Sequence, residues 1–229
     1  MLNKCQEKAL DALLEFCYSQ EKFICLSGMP GTGKTYLLKE FASQLGSINT
    51  VLRIAGRSPF SRIEFTATTN KASAVLCESS GISATTIYKL FGIKVTSDYK
   101  TGEDKLDYTR AISVCDCIIV VDEASMLTEE MFGAMMQALS KSKRIIFVGD
   151  PNQLPPIGAG RPFVDMVHLL REDLPANPFP RVCKSYGELT VNRRQASEDE
   201  RADVRLARQF TGGVVEDDDE ARGLLSLGR

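Results

Sequence analysis

A glycine-rich segment constrains the fold of this chain more than any other feature. Residues 28–35 are Gly-Met-Pro-Gly-Thr-Gly-Lys-Thr, which matches the pattern GxxxxGK[ST] in full. The apolar run at 23–26 precedes it and is typical of a buried parallel strand. A helical pattern over 34–45 follows it. A strand, a tight glycine turn and a helix in this order indicate an α/β fold with a phosphate-binding loop.

The residue types in this segment suit the phosphates of a nucleotide. Glycines allow consecutive backbone N–H groups to converge on an anion, and the N-terminus of the following helix adds a partial positive charge. We expect Lys34 to neutralise the β- and γ-phosphates and the Thr35 hydroxyl to ligate Mg²⁺. The alternative, a glycine-rich turn that happens to precede a helix, leaves the lysine and threonine unexplained. The residues expected to hold the nucleotide here are Gly28, Met29, Pro30, Gly31, Thr32, Gly33, Lys34 and Thr35.

A pair of carboxylates follows another apolar run. Asp122 and Glu123 come directly after the β-branched residues at 118–121. Asp122 is expected to hold Mg²⁺ through water, and Glu123 to polarise the water that attacks the γ-phosphate. By itself the pair could be an exposed strand end. Together with the phosphate loop it predicts a hydrolase that uses ATP and Mg²⁺, rather than a simple nucleotide binder.

Strand and helix patterns alternate along most of the 229 residues. This alternation predicts an α/β fold with a doubly wound parallel sheet that is covered on both faces. The strands are expected at 23–26, 63–67, 117–121, 144–148 and 188–191, and the helices at 3–19, 34–45, 70–79, 84–91, 126–139 and 161–170. A loop is expected to contain Arg53, Arg57, Pro59 and Arg62.

Charge and cysteine content exclude little. A net charge of −2 excludes a globally basic nucleic-acid coat but leaves room for a local basic groove. The seven cysteines have no paired CxxC spacing, which favours reduced core cysteines in a cytoplasmic protein over a zinc site. No stretch approaches the roughly 20 apolar residues that cross a bilayer, so no membrane partner is expected. The acidic run at 216–220 is typical of a solvated or disordered tail.

Several motifs resemble a known family when they are taken in order along the chain. They lie at residues 2–9, 28–35, 66–72, 86–92, 122–125, 149–156 and 189–195. Their order and content resemble the first motor domain of superfamily-1 helicases, closest to the RecD-like branch. The resemblance implies a P-loop NTPase fold of the RecA-like type over 1–195. It also implies an ATP-dependent DNA helicase that translocates on single-stranded DNA, with 5′ to 3′ polarity, and unwinds duplex.

The same resemblance implies roles for residues outside the phosphate loop. Gln6 matches the glutamine that contacts adenine, and its amide offers a donor and an acceptor. Gln153 matches the residue that senses the γ-phosphate, although a turn residue is the alternative. Arg194 matches the arginine that reaches the γ-phosphate, with Arg193 as the neighbouring candidate and a solvent-exposed basic pair as the alternative.

Two further segments match those that contact single-stranded DNA in similar proteins. Hydroxyls, an amide and lysines suit phosphate contacts without sequence specificity. Tyr88 could stack on a base or pack in the core. The residues concerned are Thr69, Asn70, Lys71, Thr86, Tyr88 and Lys89. A β-hairpin insertion is expected within 94–110, where RecD-like enzymes carry a pin that splits the duplex at a junction.

The sequence after Gln195 departs from the family pattern. A superfamily-1 motor has two lobes, and no second-lobe motif follows in 196–229. These residues are expected to be a polar, acidic tail or the start of a missing second lobe. That lobe is expected in the rest of a longer chain or in a partner subunit. Two alternatives are a non-motor P-loop nucleotide-binding module and an RNA-directed helicase of the same superfamily.

Overall fold

A seven-stranded, mostly parallel β-sheet forms the centre of the molecule. The computed structural model describes residues 2–97, 104–107, 116–138, 144–174 and 179–191. The strands in this part of the chain are β1 (Phe23–Gly28), β2 (Arg62–Ala67), β3 (Ala84–Thr86), β4 (Lys94–Ser97), β5 (Asp104–Asp107), β6 (Cys117–Asp122), β7 (Arg144–Gly149), β8 (Val182–Cys183) and β9 (Tyr186–Leu189). The large sheet has the order β3-β2-β6-β7-β1-β9-β8. All its pairs are parallel except β8 with β9, so the sheet is mixed at one edge.

Helices cover both faces of this sheet, which confirms the doubly wound α/β prediction. The helices are α1 (Lys4–Tyr18), α2 (Lys34–Ser43), α3 (Leu45–Ile54), α4 (Asn70–Ser80), α5 (Ile87–Phe91), α6 (Glu129–Ala138) and α7 (Pro162–Arg171), with a 3-10 turn at Ala124–Met126. Helices α1 to α4 pack on one face and α5 to α7 on the other, each with its own hydrophobic cluster. Strands β1, β6 and β7 are therefore buried on both sides, which explains their continuous apolar runs.

Several predicted bounds are wrong, and each has a physical reason. The expected helix at 34–45 ends at Ser43, and a separate helix α3 occupies much of the expected loop. Its Gly46 and Thr50 have low helix propensity, but Ile48 and Leu52 are buried and hold it against the core. The expected helix at 84–91 begins as strand β3, because these residues pair with β2. Likewise, a 3-10 turn precedes α6, and β9 ends two residues before Val191.

The expected β-hairpin is present as a small antiparallel sheet of its own. Strands β4 and β5 pair with Lys94 opposite Asp107 and Ser97 opposite Asp104. The Leu106 N–H donates to Glu130 Oε1 at 3.1 Å, which attaches the hairpin to α6. Residues 98–103, Arg193 and Arg194, and residues 196–229, which were expected to form a tail or the start of a second lobe, lie outside the described residues. None of the helices in the described stretches is both long and apolar enough to span a bilayer.

Candidate active site

The carboxyl ends of four parallel strands bring the predicted site residues to one edge of the sheet. In the register, Ser27 of β1 lies opposite Gly149 of β7, and Ala67 of β2 lies opposite Asp122 of β6. Each of these strands therefore ends at nearly the same level. In open α/β sheets, ligands bind outside the carboxyl ends of the strands, where the order of connections reverses. The phosphate loop after β1 and the acidic pair at the end of β6 meet at this edge.

The glycines of the phosphate loop have steric reasons to be glycine. Gly33 has φ +83°, a left-handed conformation that other residues rarely adopt, and a Cβ there would lie 2.4 Å from Gln6 Nε2. A Cβ on Gly28 would lie 2.7 Å from Thr32 Oγ1 and 3.1 Å from Leu189. Helix α2 begins directly after Gly33, so its N-terminus points at the site.

Hydrogen bonds within the loop hold its shape. Thr32 Oγ1 donates to the Met29 carbonyl at 2.8 Å, and the Thr32 N–H reaches the same oxygen at 3.3 Å. Lys34 Nζ donates to the carbonyls of Gly28 at 2.6 Å and Met29 at 3.2 Å. These two hydrogen bonds hold the Lys34 ammonium against the loop in which phosphates are expected to bind.

Gln6 connects helix α1 to the phosphate loop. Its side chain is fully buried; Nε2 donates to the Thr32 carbonyl at 3.1 Å, and Oε1 accepts from the Asn3 N–H at 3.1 Å. Asn3 Oδ1 in turn accepts from the Gln6 N–H at 2.8 Å, which completes a capping box at the start of α1. Both amide atoms of Gln6 thus have protein partners, and one N–H and one oxygen lone pair remain for any contact with a base.

The surroundings of Asp122 disfavour its ionised form, and the backbone of Glu123 is strained. Burial raises the pKa of Asp122 to about 6; a hydrogen bond from the Glu123 N–H at 3.0 Å opposes this rise, the Glu123 charge adds to it, and the Lys34 charge opposes it. Glu123 has φ +52°, which costs a non-glycine residue about 1–3 kcal/mol. Such strain is concentrated at functional sites.

The turn after β7 brings Gln153 to the same edge. Asp150 is buried and accepts from the Asn152 N–H at 3.0 Å through Oδ1 and from the Gln153 N–H at 3.2 Å through its carbonyl. Gln153 therefore lies in a turn, which is the alternative to a γ-phosphate sensor that the sequence left open for it. Gln153 Oε1 also accepts from Ser125 Oγ at 3.2 Å, which links this turn to the segment that follows the acidic pair.

One cavity of about 810 Å³ joins these elements. Its lining from the predicted nucleotide site consists of Gln6, Pro30, Gly31, Gly33, Lys34, Thr35, Asp122, Glu123 and Gln153. Two residues predicted to contact DNA, Thr69 and Lys71, also line it, as does Thr68, which the sequence interpretation did not single out. The active-site cavity therefore extends from the phosphate loop to the end of β2.

The six predicted DNA-contact residues differ in burial and in hydrogen bonding. Thr69 and Thr86 are the N-caps of α4 and α5, where their hydroxyl oxygens accept backbone N–H groups at 3.1 and 3.2 Å. Asn70, Lys71 and Lys89 are exposed. Tyr88 is half-buried, packs against the hydrophobic cluster under α5, and has a pKa that burial raises. Core packing, one of its two proposed roles, is thus present.

Sequence comparison places these features in a family. The AAA domain family matches residues 1–210. The chain belongs to this family. The RecD subunit of the RecBCD enzyme from Mycolicibacterium smegmatis is 32% identical over 206 residues, which are 82% of this chain and 35% of that protein. The ATP-dependent RecD2 DNA helicase of Deinococcus radiodurans is 27% identical over 163 residues, which are 71% of this chain and 19% of that protein.

A solved structure supports the same fold. The Pif1 helicase from Bacteroides, in complex with ADP-AlF3 and single-stranded DNA, matches with a TM-score of 0.53 and 18% identity, over 94% of this chain and 47% of that one. The resemblance to the first motor domain of RecD-like superfamily-1 helicases is confirmed, and with it the nucleotide-binding P-loop fold. The chain spans about a third or less of the two curated relatives just described.

Proposed function

We propose that this chain is the ATP-binding and ATP-hydrolysing first motor lobe of a superfamily-1 DNA helicase. The observation that carries the proposal is that the phosphate loop, the half-buried Asp122 and the strained Glu123 border one cavity. A loop alone would suit a nucleotide binder, whereas an acidic pair across the same cavity suits hydrolysis. The names of the RecD and RecD2 relatives, and the nucleotide and single-stranded DNA bound to the Pif1 structure, support the same assignment.

The donor set of the site fits Mg²⁺. Mg²⁺ prefers oxygen ligands and is usually bound by one or two carboxylates together with phosphate oxygens and water. The Thr35 hydroxyl and the Asp122 carboxylate line the cavity and would hold it. A cation beside Asp122 would favour the ionised form of a carboxyl whose pKa burial now raises to about 6. When bound, the metal neutralises negative charge on the phosphates.

The protein groups divide the hydrolysis between them. Lys34 places a positive charge next to the terminal phosphates, and the backbone N–H groups of the loop bind the phosphate oxygens. Glu123 accepts a proton from the attacking water. Gln153 senses the γ-phosphate, and its hydrogen bond with Ser125 connects that signal to the acidic segment. Arg194 is the proposed additional cation at the γ-phosphate.

Single-stranded DNA is the proposed polymer substrate. The exposed side chains of Asn70, Lys71 and Lys89 suit contacts with phosphates, and the half-buried ring of Tyr88 leaves part of its surface for a base. Thr69 and Lys71 also border the active-site cavity, so one loop would contact both nucleotide and DNA. The second motor lobe, from a longer chain or a partner subunit, would cover the open side of the cavity.

ATP hydrolysis with and without single-stranded DNA tests this proposal. We expect DNA to stimulate hydrolysis, Lys34→Ala to abolish it, and DNA affinity to fall steeply as salt increases. RNA of equal length serves as the comparison, since phosphate contacts alone do not distinguish the two polymers. Nucleotide binding without stimulation by either polymer, or affinity that is insensitive to salt, would instead favour a non-motor nucleotide-binding module.

The hairpin formed by β4 and β5 is proposed to split the duplex. Its position between the DNA-contact segments and the acidic pair motivates this role, as does its hydrogen bond to α6. Deleting residues 97–107 from an enzyme with both lobes should abolish unwinding and spare DNA-stimulated ATP hydrolysis. Loss of both activities would contradict a pin and indicate a structural role.

A further inference from the structure

Thr68 carries a buried hydroxyl that has no hydrogen-bond partner in the described part of the chain. Its side chain is 4% exposed, and across the described stretches of the chain no group forms a hydrogen bond with Thr68 Oγ1. Neighbouring threonines differ from it. Thr66 Oγ1 donates to a strand carbonyl at 2.9 Å, and Thr69 and Thr86 cap helices. Thr68 is therefore an exception at this edge of the sheet.

The position of Thr68 relates it to the acidic pair rather than to the phosphate loop. It directly follows β2, whose last residue Ala67 lies opposite Asp122 in the neighbouring strand. Strand β1, which leads into the phosphate loop, is three strands away from β2. With strands spaced about 4.8 Å apart, that is roughly 14 Å, against about 5 Å to the strand that carries the acids. Thr68, Asp122 and Glu123 all line the active-site cavity.

An unpaired hydroxyl in this position has an energetic cost. A buried donor or acceptor without a partner destabilises a fold, whereas a valine of the same shape avoids that cost. A hydroxyl can both donate and accept, so it can bind a water molecule or an oxygen of a ligand that enters the cavity. The destabilisation from the unpaired hydroxyl is thus offset only when a water molecule or a polar ligand in the cavity forms a hydrogen bond with it.

We propose that Thr68 positions the attacking water for hydrolysis of the γ-phosphate. This inference rests on the proposed function. The water donates one hydrogen to the Glu123 carboxylate and the other to Thr68 Oγ1, which directs its lone pair at phosphorus. The bond from the water oxygen to phosphorus then forms, the bond from phosphorus to the β–γ bridging oxygen breaks, and the proton passes to Glu123. ADP carries away the electron pair of the broken bond.

Turnover by two variants tests this role. Thr68→Val keeps the shape and removes the hydroxyl, so we expect kcat for ATP hydrolysis to fall about tenfold, the effect of losing one hydrogen bond in the transition state, while KM is unchanged. Thr68→Ser retains the hydroxyl and should restore most of the rate. A Thr68→Val variant with the wild-type kcat would overturn the proposal, and so would a Thr68→Ser variant as slow as Thr68→Val.

Binding and stability measurements separate this proposal from the one on which it rests. Thr68→Val should bind Mg-ADP like the wild type but bind Mg-ADP with aluminium fluoride, which mimics the transferring phosphate, about tenfold more weakly. Its melting temperature without nucleotide should equal or exceed that of the wild type, whereas Thr66→Val, which loses a made hydrogen bond, should melt lower.

Each outcome of these measurements is decisive. Failure of the wild-type protein to bind either nucleotide overturns the proposed function and this inference with it. Wild-type binding of both, with the same affinities in Thr68→Val, overturns only the role of Thr68. A lower melting temperature in Thr68→Val with equally weakened binding of both ligands indicates a structural role and also overturns it.

Discussion

The two halves of the active-site cavity differ in how well their polar groups are satisfied. In the phosphate-loop half, residues 28–35 and Gln6, hydrogen bonds within the protein engage the Thr32 hydroxyl, the Lys34 ammonium and the Gln6 amide. In the acidic half, formed by Asp122, Glu123 and Thr68, burial raises the pKa of Asp122 and Glu123 has a positive φ. The Thr68 hydroxyl has no hydrogen-bond partner among the described residues.

This difference indicates a division of labour between binding and chemistry. A preformed loop loses little conformational freedom when it binds phosphates, so it contributes affinity. Groups that are strained or unsatisfied in the free protein gain most when a metal, water and a transferring phosphate fill the cavity. Substitutions in the loop half should therefore affect nucleotide affinity, and substitutions in the acidic half should affect turnover.

The largest expected effect is that of Glu123→Gln on turnover. Gln keeps the size of the side chain but cannot take a proton from water, so kcat should fall by about 10²- to 10³-fold. Affinity for Mg-ATP should change less than threefold, which is about 0.6 kcal/mol. Single-turnover hydrolysis and calorimetry measure the two quantities. Glu129→Gln, an exposed carboxylate at the start of α6, is the matched control. If Glu123→Gln lost affinity for Mg-ATP to the same extent as turnover, the proposed division between a binding half and a catalytic half would be wrong.

Unlike Glu123→Gln, Lys34→Ala should lower nucleotide affinity as well as abolish hydrolysis. Removing a positive charge from the phosphate site should weaken Mg-ATP binding about 100-fold, since one donor to a charged oxygen contributes on the order of 2–3 kcal/mol. Lys22→Ala controls for net charge. Lys22 is exposed and directly precedes β1, at the opposite end of that strand from the phosphate loop. Calorimetry at equal ionic strength gives both affinities. Unchanged binding in Lys34→Ala would show that the loop half does not supply the affinity.

Much of the loop half could be predicted because its chemistry is local in sequence. Eight consecutive residues specify the turn, the helix start and the ammonium, and the apolar run before them specifies the strand. The acidic pair was predictable for a similar reason, since it follows a continuous apolar strand. The sequence also carried a signal for the capping box, because Asn3 and Gln6 have its three-residue spacing. The resemblance to helicases predicts a contact between Gln6 and adenine, but it does not predict the capping box.

Features that depend on distant pairing could not be predicted. Strand β3 is three residues long and forms because β2 offers it backbone partners, whereas its local sequence pattern predicts a helix. The unpaired Thr68 hydroxyl is likewise a property of the packed sheet edge, since nothing in its sequence neighbours distinguishes it from Thr66 or Thr69. The positive φ of Glu123 could not be predicted either, because a residue other than glycine rarely adopts it.

The raised pKa of Asp122 predicts a pH dependence of stability that sharpens the contrast. The folded protein holds this proton up to about pH 6, whereas the unfolded chain releases it near its ordinary pKa of 3.8. Between these values the folded state binds more protons, so the free energy of unfolding should fall as pH rises from about 4 to about 6.

Asp122→Asn should remove this component. Without nucleotide, the variant should be more stable than the wild type at neutral pH by about 1–3 kcal/mol, and the advantage should vanish at about pH 4. Urea unfolding across this range measures it. If the free energies of unfolding of the two proteins depended on pH in the same way, ionised Asp122 would not destabilise the fold. The contrast between the halves would then rest on Glu123 and Thr68 alone.

The smallest expected effect is that of Gly33→Ala on stability. A Cβ at φ +83° that lies 2.4 Å from Gln6 Nε2 should lower the free energy of unfolding by about 1–2 kcal/mol. Gly46→Ala in α3 is the matched control, because a Cβ there meets nothing within 4 Å and should stabilise the helix by about 0.5–1 kcal/mol. Urea unfolding of both variants gives the comparison.

A double variant separates the two causes of the Gly33 effect. Gln6→Ala removes the clashing amide but not the left-handed backbone, so Gly33→Ala should cost less in the Gln6→Ala background than in the wild type. The remaining cost measures the backbone strain alone. Additive losses would mean that Gln6 moves aside freely, in which case the hydrogen bond between Gln6 and the Thr32 carbonyl does not fix the loop, and the phosphate-loop half is less preformed than its contacts indicate.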